Sequence, residues 1–157
     1  MITIEKEPFS LTLAAEILPL AQKCWQESTI VKQETCAYFG ERDFAIEPNF
    51  AVYEQFAKQG SIVMVTVRDE ITLKGYVVGF IHHSLHHKKI LCGYGDSIYI
   101  EPDYRAYTAI VAEKFEQAMK NLNVDMIGWP THIDGPIYQV LKTRGYVGDD
   151  IMMEKRI

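Results

Sequence analysis

The sequence predicts a mixed α/β (α+β) domain on a mostly antiparallel sheet, and three observations carry that prediction. The elements read in the order β-α-α-β-β-β-α-β-α-β. The strand runs are rich in β-branched residues, whereas the helical stretches repeat apolar residues every three or four positions. The 157 residues, 48% apolar and 24% charged, suit one core and leave little room for two. The expected organisation is a single domain, 1–157. This balance excludes disordered, collagen-like and low-complexity chains. A net charge of -5 argues against broad, salt-driven nucleic-acid binding. No stretch is long enough to span a bilayer, and Met1–Glu7 holds no apolar signal core. Cys24, Cys36 and Cys92 are odd in number and widely spaced, as expected of free thiols in a cytoplasmic protein.

Ile2–Glu5 alternates as a short strand. Ala14, Ile17, Leu18, Ala21 and Trp25 mark the first helix, which Pro19 is expected to kink or delay. Residues 27–48 show no steady period and are expected to form a long loop. Asn49 caps a short helix carrying Phe50, Tyr53 and Phe56 and stopped by Gly60. Ile62–Val67, Gly75–His82 and Ile90–Ile100 form an antiparallel meander, joined through Arg68–Lys74 and the histidine-rich turn His86–Lys89. Pro102 ends the third strand. A long helix follows, burying Ala112, Phe115, Met119 and Leu122, with Glu116 and Lys120 paired on its other face. Val124–Trp129 is a strand. Asp134 caps a helix with Pro136 in its first turn, ending at Gly145. Val147–Lys155 is a final strand. Ile90–Trp129 is a right-handed crossover whose helix starts beyond a strand end, where free N–H groups attract anions.

The segment Ser97-Ile-Tyr-Ile-Glu-Pro-Asp-Tyr-Arg-Ala106 resembles the acetyl-CoA-binding segment of the GNAT superfamily of N-acetyltransferases. Ile137–Tyr146, closing in Arg-Gly-Tyr, and the ending Met153-Glu-Lys155 resemble the close of that fold. Asn49–Ile100 resembles small acetyltransferase-like proteins of bacteriophages. The resemblance implies a GNAT-like sheet with a central parallel strand pair and helices on both faces. It implies acetyl-CoA as co-substrate, its pantetheine arm along Ile98, Tyr99 and Ile100 and its pyrophosphate at Arg105, Ala106, Tyr107, Thr108 and Ala109. Thr108 stands where the family has its first glycine. Its hydroxyl could donate to phosphate or its side chain could obstruct the loop, and a one-residue offset would put Ala109 at a small position.

Acetyl transfer to an amine needs a neutral nucleophile, a polarised carbonyl and a proton for the thiolate. Asp96, on the strand before the phosphate loop, is the candidate base. By period two it shares a face with Tyr94 and Ile98; a capping aspartate is the plain alternative. With a turn centred on Lys88, His82 faces Tyr94 and pairs diagonally with Asp96, and a one-residue shift substitutes His83. The family's thiolate-protonating tyrosine falls at Leu141; Tyr138, one turn earlier, is the candidate, with packing against the sheet as its alternative. His82, His83, His86 and His87 alternate in direction along the chain, so no metal site is expected. The acidic, aromatic stretch Ser28–Asn49 suits a cationic acceptor.

The expected activity is therefore transfer of an acetyl group to a small-molecule amine or to a protein lysine or N-terminus. No membrane or nucleic-acid partner is expected, and a homodimer stays open. The compartment is the cytoplasm, the host's if the chain is phage-encoded. The rival is a non-catalytic binding protein of the same fold, such as a phage factor that engages a host protein.

Overall fold

The structure is a computed structural model describing residues 1–35, 46–131 and 136–148, with side chains of all but 28–35 and 136. Its elements are β1 (Ile2–Lys6), α1 (Leu11–Thr35), α2 (Phe50–Lys58), β2 (Ile62–Asp69), β3 (Thr72–His83) and β4 (Leu91–Ile100). A 3₁₀ turn (Pro102–Tyr107), α3 (Thr108–Lys120), β5 (Met126–Gly128) and α4 (Pro136–Thr143) complete them. The strands lie in the order β1-β2-β3-β4-β5. Each neighbouring pair is antiparallel except β4 and β5, which run parallel.

Alternation along β2 sends Val63, Val65 and Val67 to one face and Met64 to the other. On the first face α3 buries Val111, Phe115 and Met119 against the valines. On the opposite face α1 lays Leu13, Ile17, Leu20 and Ala21 over Met64, Tyr76, Val78 and Tyr99. The helices thus cover both faces, as the GNAT-like pattern requires. Glu7, ahead of α1, accepts from Arg68 Nε at 2.6 Å and from Thr66 Oγ1 at 2.5 Å, and Glu16 of α1 takes Arg68 Nη2 at 2.7 Å. These bonds tie α1 to β2.

Asn49 caps α2 through its side chain, which accepts from the Val52 N–H, and Gly60 stops it in a left-handed conformation (φ 68°). Several expectations need correction. Pro19 lies within α1, and the helix continues to Thr35, nine residues into the expected loop. Burial of the α1 stripe outweighs the roughly 3 kcal/mol that an interior proline costs. The β2–β3 turn is tighter than expected, with Asp69 opposite Thr72. Strand β5 is only Met126–Gly128, and Val147 and Gly148 lie in no strand. Glu116 meets Arg144, just past the end of α4, through two 2.8 Å bonds instead of pairing with Lys120, because a planar guanidinium there reaches both oxygens. Cys36, Asp134 and 149–157 lie outside the described residues.

Candidate functional site

The strand pairing of β3 and β4 slips by one residue. Val78 faces Ser97, but Gly79 faces Gly95, so Asp96 is the extra residue of a β-bulge. Gly79 and Gly95 let α3's side of the sheet close tightly here. A Cβ on Gly79 would stand 2.4 Å from Phe115, and one on Gly95 would stand 2.3 Å from Trp129. The bulge also turns Asp96 and Ser97 to the same side. Both line a cavity of about 150 Å³ beneath α1 and α2, whereas Ile98 packs into the α3-side core. Strict period two had put Asp96 with Ile98; the bulge breaks that alternation.

The cavity walls include Phe9, Ile17, Phe50, Met64 and Val78. Tyr53 is a wall residue as well, edge-on to Phe80 at 5.4 Å and tilted to Phe9 at 6.0 Å. Its side chain and the Asp96 carboxylate line the same cavity. Asp96 is an exposed residue at the rim of the cavity; partial desolvation of its carboxylate there raises its pKa, and the neighbouring Tyr53 hydroxyl opposes part of that rise. Burial, and then the Asp96 charge, push Tyr53 up to about 12, so its hydroxyl keeps its proton. Tyr76 and Ser97 satisfy one another at 3.1 Å.

Behind this cavity the sheet opens. Parallel pairing of β4 with β5 stops at Tyr94 opposite Gly128, and among the described residues the β4 edge beyond it has no strand partner. The Ile98 and Ile100 carbonyls accept from side chains instead, from Cys24 Sγ at 3.9 Å and Arg105 Nε at 3.3 Å. Tyr99 points to α1, its hydroxyl donating to Glu27 Oε1 at 2.9 Å, and burial with that bond raises it to about 12.

Of the expected phosphate-loop residues, Arg105, Ala106 and Tyr107 lie in the 3₁₀ turn, and Thr108 and Ala109 open α3. The Thr108 hydroxyl donates to the Arg105 carbonyl at 2.7 Å. Arg105 Nη2 meets Glu27 of α1 at 2.6 Å. The guanidinium therefore bends back toward the sheet instead of standing free at the helix start.

The expected Asp96–His82 pairing does not form. The turn centres on His87 rather than Lys88, so Phe80 faces Tyr94 and His82 faces Cys92. His82 is exposed, with its ring on the His83 carbonyl at 3.0 Å. Tyr138 is half-buried on α4 with Lys142 Nζ 5.6 Å above its ring, and it does not line the cavity. Sequence reasoning missed Tyr53 and Phe9 as site residues. The aromatic spacing 50, 53, 56 was the available signal, and it was absorbed into the reading of α2 as a packed helix face.

This fold is that of the GNAT acetyltransferases. An aminoglycoside acetyltransferase from an uncultured soil metagenomic sample, solved with trehalose, superposes with a TM-score of 0.71 at 8% identity, covering 99% of this chain and 95% of that one. A predicted acetyltransferase from Clostridium acetobutylicum, solved with acetyl-CoA, gives 0.70 at 14% identity over 99% and 96%. Glucosamine-6-phosphate N-acetyltransferase from Arabidopsis thaliana gives 0.66 at 12% over 98% of each chain. No family model and no curated protein matches the sequence. No helix among the described residues is long and apolar enough to cross a membrane.

Proposed function

We propose that the chain transfers an acetyl group from acetyl-CoA directly to an amine, with Asp96 as general base. The bulge at Asp96 carries this reading. It aims a carboxylate of raised pKa into an aromatic cavity, on the strand whose other edge is open to an extended ligand. The Ile98 and Ile100 carbonyls suit the amide N–H groups of a pantetheine arm, which would add to β4 as a strand and displace the Cys24 and Arg105 contacts. Tyr99 ties that edge to α1 through its hydroxyl's bond to Glu27. Arg105, released from Glu27, and the backbone of Ala106, Tyr107, Thr108 and Ala109 would meet the pyrophosphate. Asp96 takes the proton of the bound ammonium. The amine nitrogen then bonds to the thioester carbonyl carbon, the C–S bond breaks, and the sulfur leaves as a thiolate. The second proton shed by nitrogen restores the thiol, with Tyr138 as the hydroxyl offered for that relay.

One observation favours a second reading, a non-catalytic binding protein of this fold. The 3₁₀ turn spends the Thr108 hydroxyl and the Arg105 side chain on internal bonds. Calorimetry with acetyl-CoA separates the two. The catalytic reading expects saturable binding weakened about tenfold or more by Arg105→Ala. It also expects Asp96→Asn to cut turnover about 10²–10⁴-fold with cofactor affinity unchanged. Absence of acetyl-CoA binding ends the catalytic reading.

A further inference from the structure

The cavity under α1 and α2 is selective in its chemistry. Phe9, Ile17, Phe50, Met64 and Val78 supply apolar walls. The Tyr76 hydroxyl and Ser97 are already bonded to each other. Among the residues lining the cavity Asp96 is the charged one, so its carboxylate is the group that a cationic ligand would meet. The volume, about 150 Å³, matches cavities known to hold a benzene-sized body. Aromatic rings beside a carboxylate also favour an organic cation.

We propose that the acetyl acceptor is an arylalkylamine: a primary amine one or two carbons from a benzene-sized ring, with the ring in the apolar walls and the ammonium on Asp96. This rests on the acetyltransferase reading and narrows it. An amino sugar would bring several hydroxyls into a site with too few partners, and each one left unpaired costs about tenfold in affinity. A lysine on a folded protein surface presents a long aliphatic stem and no ring to pack against the aromatic walls of the cavity.

The test uses the full chain. Calorimetry compares 2-phenylethylamine with its neutral analogue 2-phenylethanol and with the aminoglycoside sisomicin, on the unmutated protein and on Asp96→Asn. Thiol release and product mass then report acetyl transfer from acetyl-CoA to each amine. The expected result is binding of 2-phenylethylamine, about 10- to 100-fold weaker for the alcohol or for Asp96→Asn, and preferential acetylation of the arylalkylamine. Acetylation of sisomicin with 2-phenylethylamine ignored overturns the acceptor class and leaves the acetyltransferase reading standing. Binding of 2-phenylethylamine without any acetyl transfer upholds the ligand class and sinks the catalytic reading. Equal binding of amine and alcohol, or no binding of either, overturns the proposal.

Discussion

Gly79→Ala tests the bulge that aims Asp96. The added methyl would stand 2.4 Å from Phe115 Cζ and 2.6 Å from the Tyr94 carbonyl oxygen. Ordinary van der Waals contact begins near 3.4 Å, so each neighbour must retreat by about 1 Å. Neither retreats cheaply. Phe115 is fully buried between α3 and the sheet and packs on Trp129 at 4.9 Å, and the carbonyl belongs to the paired β4 backbone. Overpacking a core costs about 1–3 kcal/mol, and two rigid obstacles place this change near the top of that range. Stiffening the unfolded chain returns only about 0.4–1 kcal/mol. A net loss of about 2 kcal/mol should lower Tm by roughly 4–8 °C in a chain of this size. Gly128→Ala is the control, since its methyl meets nothing nearer than Tyr94 at 3.8 Å. Urea unfolding with an unchanged m-value would measure both. A Gly79→Ala protein within about 0.5 kcal/mol of its parent would refute the claim that this crossing of β3, β4 and α3 is tight, and with it the rigid aim of Asp96.

Tyr53→Phe removes the hydroxyl that opposes the rise in the Asp96 pKa and leaves the desolvation that causes it. The acid limb of the pH–rate profile should therefore move to higher pH; an unmoved limb would separate Tyr53 from Asp96. Glu7 is held below the usual carboxylate range chiefly by its bond to Arg68, so its contribution is present above the unfolded value and lost as pH falls through the lower folded one. Glu7→Gln should destabilise the protein at neutral pH and flatten its stability profile below about pH 4.5, as followed by denaturant titration. Glu27→Gln should loosen Arg105 and tighten acetyl-CoA binding, and calorimetry showing weaker binding would mean that the Glu27 contact supports the site instead of competing with it.

The order of elements through α4, the cap at Asn49, the stop at Gly60 and the proline that ends β4 were legible from the amino-acid sequence. Each depends on local conformational preference or on a periodicity within one element. The same local evidence placed Asp96 on the strand that leads to the phosphate segment. Which way its carboxylate points was not legible, because the bulge arises between strands: Gly79 and Gly95 come together under Phe115 and Trp129, and Asp96 is squeezed out of register. The partner of His82 likewise hung on a one-residue choice of turn. Arg105 and Glu27 are 78 residues apart, and no sequence period joins them. The reach of α1 through Pro19 was set by the sheet it covers. Local chemistry determined what the elements are, and tertiary packing alone decided which side chains share the cavity, because contact between distant segments is a property of the assembled layers.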